Sequence, residues 1–199
     1  MSHLLNLQQK YQVVGLLFRL NNILPVETLV TLYSTLLVPY LLYGIEIWHG
    51  ALRENQDRIF KLQKKAVRAI NSLGYNQHTN EFFKSMEILK VNDIFKQRLL
   101  IYMFKNQNFA THSDHHSYNT RNRQDLVIPR FNRSRTQCSY LYQGMLLWNS
   151  IPSDIRSLQY EGSFKSAIKD LYLSEYWTLS HVFIVMLLFG WISCFYGSL

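Results

Sequence analysis

The amino-acid sequence predicts an all-α protein, with a helical bundle, a basic loop-rich strap and an apolar C-terminal helix. Apolar residues recur at spacings of three and four in several segments, as they do on one face of a helix. Hydrophobic residues make up 48% of the chain and aromatic residues 15%, which is enough apolar area to offset the conformational entropy lost on ordering. The pattern therefore favours a folded helical protein over a disordered chain.

Two apolar stretches near the N-terminus predict two helices, Tyr11–Leu24 and Val26–Trp48. Pro25 separates them, because proline suits the start of a helix and not its interior. In the second stretch, the apolar positions that share one helical face are Leu29, Leu32, Tyr33, Leu36 and Leu37. Pro39 removes a helical hydrogen bond, so a kink or a break is expected there.

The segment RIFKLQKKAVRAINSLG predicts an amphipathic helix over Asp57–Leu73, with Gly74 as its C-terminal stop. Its apolar stripe consists of Ile59, Leu62, Ala66, Ala69, Ile70 and Leu73. Its basic side chains project from other faces and are candidate phosphate contacts: Lys61, Lys64, Lys65 and Arg68. A solvated helix face is the alternative interpretation of these four cations.

Asparagines predict where two further helices begin. Asn80 and Asn92 belong to a residue type that caps helix N-termini. They precede the segments EFFKSMEILK and DIFKQRLLIYMFKNQ, which continue the apolar periodicity.

Composition divides the chain into four segments. These are a helical region (1–106), a basic loop-rich linker (107–137), a C-terminal helical segment (138–176) and an uncharged apolar tail (177–199). Within the third segment, Tyr140–Trp148 and Phe164–Tyr172 are amphipathic. Trp148, Asn149 and Pro152 are interpreted as a structural corner.

The formal net charge of +8 lies in the middle of the chain. Residues 61–100 carry a net charge of +5 and residues 101–140 a net charge of +4. Residues 1–60 carry no net charge, and residues 141–199 carry −1. Such a surplus attracts polyanions and releases counterions from a phosphate backbone, so nucleic acid is the expected partner. The solvated surface of a basic protein is the alternative.

The segment YNTRNRQDLVIPRFNRSR has the strongest local signal for nucleic-acid binding. It combines aromatic rings, which can stack on bases, with guanidinium groups, which can hold phosphates. The residues concerned are Tyr118, Phe131, Arg121, Arg123, Arg130, Arg133 and Arg135. An exposed linker that is rich in arginine for solubility is the alternative.

The sequence contains no catalytic motif. Its aspartates are scattered singly, without the adjacent pair that two-metal polymerases use, and Gly-rich phosphate loops and hydrolase motifs are absent. His112, His115, His116 and Cys138 are metal-ligand types, but without a second cysteine pair their spacing favours polar loop residues over a zinc site. We therefore expect no enzymatic activity from this chain alone, and no metal, cofactor or small-molecule substrate.

Four stretches, taken in order, resemble the C-terminal part of non-LTR retrotransposon reverse transcriptases of the jockey and chicken-repeat type. They are LVTLYSTLLVPYLLYGIEIWHG, LQKKAVRAI, HTNEFFKSMEILKVNDIFK, and YNTR followed by GMLLWNSIPSDIR and FKSAIKDLYL. The similarity covers about residues 10–176, and the ordered combination of stretches carries it.

This resemblance implies a truncated fragment with the thumb and post-thumb region, which grips the template–primer duplex and the element's RNA. The thumb-like helices would be Val26–Trp48 and Asp57–Leu73, with the basic helix and the arginine-rich strap facing phosphate. The family's endonuclease, fingers and palm precede this region, and its catalytic carboxylates have no matching position in this chain. The implied partner is RNA or an RNA–DNA hybrid, and a thumb supplied in trans to a separate palm is a further alternative.

The resemblance ends near Tyr176, where an uncharged segment of 23 residues begins. A helix of that length can span ~30 Å of hydrocarbon. This segment has three alternative interpretations: a tail anchor, a buried helix, or translated sequence beyond the stop codon of a decayed element. The first would make the chain a small tail-anchored membrane interaction protein without a nucleic-acid role. The polar N-terminus and the two cysteines predict an intracellular protein, with membrane association through 177–199 as an option.

Overall fold

Helices joined by loops make up the part of the chain that the computed structural model describes. That part comprises residues 2–43, 45, 53–106, 108–115, 117–118 and 122–176, with side chains for all of these except 2–10, 53–55, 115 and 134–135. Only an isolated bridge between Thr111 and Leu126 is of β type within these ranges. The predicted all-α class is confirmed for them.

The first helices, in chain order, are α1 (Ser2–Leu20), α2 (Val26–Leu32, continued through a π-helical turn at Tyr33–Leu37 into Val38–Leu42) and α3 (Arg53–Ile70). The middle of the chain contains α4 (Asn80–Ser85), α5 (Val91–Lys105) and α6 (His112–His115). The last ones are α7 (Ser134–Gln137), α8 (Tyr140–Ser150), α9 (Ser153–Arg156) and α10 (161–176).

A π-helical turn lies shortly before Pro39 in α2, where a kink or a break is predicted. The backbone N–H of Val38 donates to the carbonyl of Tyr33, five residues back. Pro39 has no N–H to donate, and its ring excludes the carbonyl four residues earlier, so a wider turn accommodates it without ending the helix. The helix continues to Leu42, so the chain does not break at Pro39.

The C-terminal stop predicted for α3 at Gly74 is wrong. The helix spans Arg53–Ile70, and Ser72 takes the positive φ of 53° that ends it. The N–H of Leu73 then donates to the carbonyl of Arg68 at 3.0 Å, the bond of a Schellman motif. A serine therefore occupies the position for which glycine was expected, two residues earlier.

The predicted caps Asn80 and Asn92 are wrong as well, because both residues lie within the first turn of their helices. At the start of α5, the N–H of Val91 donates to the side-chain oxygen of Gln63 at 2.8 Å. A side chain from α3 thus satisfies a backbone donor that a local cap would otherwise serve.

Helix α5 lies at the centre of the bundle, with α3, α8 and α10 packed around it. Phe104 of α5 stacks on Phe164 of α10 with 4.6 Å between ring centroids, and Phe95 meets Tyr140 of α8 edge-on at 5.9 Å. Helix α1 packs along α3 on the other side. One hydrophobic core therefore connects the N-terminal helices with the C-terminal segment.

Gly144 allows α8 to approach α5 closely. A Cβ atom at this position would lie 2.8 Å from the sulfur of Met103 and 3.1 Å from Cδ1 of Leu99. We expect Gly144→Val to lower the free energy of unfolding by about 1 to 3 kcal/mol, because the added methyl groups overpack this contact. Urea denaturation would measure the loss, and an unchanged stability would contradict the close packing.

No helix among the described residues is both long and apolar enough to cross a membrane. The apolar helix predicted for 177–199 lies outside the described residues.

Candidate nucleic-acid interface

Five cationic side chains converge on a cavity of about 500 Å³ between α3 and the loop that follows it. They are Arg58, Lys61, Lys64, Lys65 and Arg68. We call this cavity the basic cleft. No carboxylate is among the described residues that line it. The four cations predicted on this helix are thus brought together in one cleft.

The helical repeat of α3 separates the basic cleft from the core. Arg58, Lys61, Lys65 and Arg68 follow one another at spacings of three, four and three, which places them on one face. The predicted apolar stripe is buried at Ile59, Leu62, Ala66, Ala69 and Ile70, whereas Leu73 lies beyond the end of the helix and is half-buried. Burial of that stripe holds the helix in place and leaves its cations at the surface.

The loop 71–79 forms the other wall of the basic cleft. Gly74 and Gln77 close a turn in this loop, since each backbone N–H donates to an oxygen of the other residue. The guanidinium of Arg68 donates two bonds to the carbonyl of Gln77, at 3.1 and 3.3 Å. These bonds fix the loop against α3 and present Tyr75, which is 83% exposed, at its tip.

Aromatic rings position two of the lysines. The ammonium of Lys64 lies 4.3 Å from the ring centroid of Phe60, and that of Lys65 lies 5.3 Å from the ring of Tyr11 on α1. Cation–π attraction of this kind restrains an ammonium without neutralising its charge. Both ammonium groups therefore remain available to an anionic ligand.

Sequence reasoning missed Arg58, Tyr11, Tyr75 and His78, which also line the basic cleft. Arg58 could have been found, because it continues the spacing of Lys61 backwards along the same helix face. The two tyrosines could not, because their places depend on how α1 and the loop 71–79 pack against α3.

The arginine-rich strap is the segment 118–135, and its described part presents a second basic surface. Arg123, Arg130 and Arg133 are exposed in loops between α6 and α7, and Tyr118 is 76% exposed. Arg121 and the side chain of Arg135 lie outside the described residues. None of the described side chains of the strap lines the basic cleft, so the structure does not bring these two predicted surfaces into one cavity. Phe131 packs on Tyr142 at 5.9 Å between ring centroids and is 38% exposed.

The strap is attached to the helices by the predicted structural corner. The side-chain amide of Asn149 accepts a bond from the N–H of Leu126 and donates one to its carbonyl, each at 2.9 Å. Arg156 forms an ion pair with Asp125 at 2.8 Å, and both side chains are mostly buried. These bonds fix the loop that carries the arginines of the strap.

Metal ligands do not cluster in groups of three or more within the described ranges. The basic cleft is suited to binding a polyanion. No protein-family model, curated protein or solved structure matches the chain significantly. The similarity to retrotransposon reverse transcriptases accordingly stays a prediction.

Proposed function

We propose that this protein binds RNA or an RNA–DNA hybrid through the basic cleft. The observation that carries the proposal is the convergence of five cations on one cavity wall without a carboxylate among the described lining residues. A phosphate backbone that enters this cleft would release its condensed counterions, which is the main source of affinity for nucleic acids. The fixed guanidinium of Arg68 adds a planar donor of the kind that suits phosphate oxygens.

We further propose that the helices form a thumb-like bundle in a fragment of a retrotransposon reverse transcriptase. On this proposal α2 and α3 are the thumb helices, and the chain grips nucleic acid without polymerase activity of its own. The exposed arginines of the strap would add contacts outside the basic cleft. The apolar segment 177–199 would follow the reverse-transcriptase-like region.

The test is a salt series with the full-length protein and labelled RNA, DNA and RNA–DNA hybrid of equal length. Lys61→Gln, Lys64→Gln and Lys65→Gln together remove three charges and keep most of each aliphatic stem. We expect the slope of log K against log salt to shrink by about 2 for single-stranded RNA, which corresponds to roughly 100-fold weaker binding at about 0.1 M salt.

The matched control removes three lysine charges elsewhere, by Lys105→Gln, Lys165→Gln and Lys169→Gln. Two of these lysines pair with carboxylates outside the basic cleft, at Glu161 and Glu87. This control should retain the salt slope of the unmodified protein. An equal loss in both triple variants would show that total charge, and not the cleft, determines binding. A folded protein that binds none of the three probes would refute the proposal.

A further inference from the structure

A second cavity, of about 570 Å³, adjoins the basic cleft between α1 and α3. Its apolar lining consists of Val14, Gly15, Phe18, Ala69 and Leu73, and Arg19 of α1 adds a cation to it. We call it the apolar slot. Phe18 is 69% exposed, so its ring is accessible to a ligand from solvent.

The apolar slot and the basic cleft share three lining residues, Lys65, Arg68 and Tyr75. A ligand that occupies both cavities must therefore present anionic groups directly beside a flat or apolar group. Asn21, just after α1, donates to the hydroxyl of Ser72 at 2.5 Å and so ties α1 to the loop 71–79. Both walls of the slot are held in place by this bond and by the bonds of Arg68 to Gln77.

Single-stranded nucleic acid has this combination of groups. Its phosphates lie one nucleotide apart beside bases whose faces are open, and proteins hold such bases on exposed aromatic rings. In a duplex, the bases are stacked inside and their faces cannot reach a slot. The rings of Phe18 and Tyr75, beside the cations of Lys65 and Arg68, suit an unstacked base whose own phosphate lies at the cleft.

We propose that the apolar slot receives an unpaired base while the basic cleft holds the neighbouring phosphates, so that the preferred ligand is single-stranded. This inference rests on the proposed function and narrows its ligand from RNA or an RNA–DNA hybrid to single-stranded RNA. It also assigns separate tasks to two adjoining surfaces. The cations supply salt-dependent affinity, and the slot supplies discrimination between single strand and duplex.

A substitution at Gly15 can fill the slot without removing any charged residue. A Cβ atom at this position would meet nothing within 4 Å, although the residue lines the slot. A leucine there would occupy space in the slot, and it would favour the helix, since glycine costs roughly 1 kcal/mol relative to good helix formers. Gly162 in α10 is the matched control, because a Cβ atom there also meets nothing within 4 Å.

The experiment compares the full-length protein with its Gly15→Leu and Gly162→Leu variants. The probes are a labelled 12-nucleotide RNA and the same RNA annealed to its complement. We expect the unmodified protein to bind the single strand about 10-fold more tightly than the duplex. Gly15→Leu should remove that preference and leave the salt slope unchanged, whereas Gly162→Leu should behave like the unmodified protein.

Tyr75→Ala is a second variant that keeps the test valid if Gly15→Leu does not fold. At 83% exposure Tyr75 contributes little to the core, and we expect about 10-fold weaker single-strand binding on its removal. Equal affinity of the unmodified protein for both probes would overturn the inference but not the proposed function. Binding to neither probe would overturn both.

Discussion

Replacing Gln63 by leucine is expected to lower the free energy of unfolding by about 3 to 5 kcal/mol, because it leaves buried polar groups without partners. Gln63 is fully buried in α3. Its amide nitrogen donates to the hydroxyl of Tyr33 at 2.9 Å and to the carbonyl of Leu89 at 2.8 Å. Its oxygen accepts from the N–H of Val91 at 2.8 Å. Leucine fills similar space and offers none of these bonds.

Urea denaturation followed by circular dichroism would measure this loss. Gln97→Leu is the matched control, because Gln97 is also buried but forms one such bond, to the carbonyl of Lys165 at 3.0 Å. We expect the control to lose about 1 to 2 kcal/mol. If both variants lost the same free energy of unfolding, the three bonds of Gln63 to α2, α5 and the residues before α5 would contribute no more to stability than the single bond of Gln97.

The helices themselves could be predicted from the sequence wherever one face is apolar. The stripe of α3 is an example, because its period of three and four identifies the buried face without any knowledge of its partners. The burial of Gln63 could not be predicted, since it is a polar residue next to that stripe. Its hydrogen-bond partners lie 26 to 30 residues away in sequence.

Helix starts were predicted poorly for the same reason. Local rules assign the start of α5 to a capping side chain at Asn92. In the structure, the N–H groups of Lys90 and Val91 bind the hydroxyl of Tyr176 and the amide of Gln63. Tertiary contacts here replace the local cap, so a rule that looks only at neighbouring residues places the boundary too late.

The candidate site was predictable to the extent that it depends on one helix. Lys61, Lys64, Lys65 and Arg68 share a short helical segment, so their proximity follows from the helical repeat. The apolar slot requires α1 to lie along α3 and Tyr75 to stand on a turn closed by Gly74 and Gln77. Those relations join distant parts of the chain, and periodicity carries no information about them.

Alkaline pH is expected to destabilise the fold strongly above about pH 10, because three tyrosines are buried. Burial raises the pKa of Tyr33 to about 12, against a weaker opposing effect of its bond with Gln63. Burial, reinforced by the carboxylate of Asp93, also raises the pKa values of Tyr172 and Tyr176. The hydroxyl of Tyr176 donates to Asp93 at 2.6 Å, so its ionisation would place two negative charges side by side.

The direction of the effect follows from proton binding. Below about pH 10, the ordinary pKa of tyrosine, both states hold these protons and stability is retained. Above it the unfolded chain releases them while the folded protein keeps them, so stability falls as pH rises. Tyr33 alone accounts for roughly 2 to 3 kcal/mol between pH 10 and its folded pKa of about 12. With all three tyrosines, the slope can approach roughly 4 kcal/mol per pH unit.

Urea titrations at intervals from about pH 8 to pH 12 would measure this slope. Tyr33→Phe isolates one contribution, because it removes an ionisable group from the core while Tyr172 and Tyr176 remain. The variant is less stable at neutral pH, since Gln63 loses one bond, but its stability should fall by about 1.4 kcal/mol less per pH unit once the unfolded tyrosines ionise. A flat profile to about pH 12 would mean that these hydroxyls titrate as they do in water. In that case the hydrogen bond from Tyr176 to Asp93, which links α10 to α5, would not form in the folded protein.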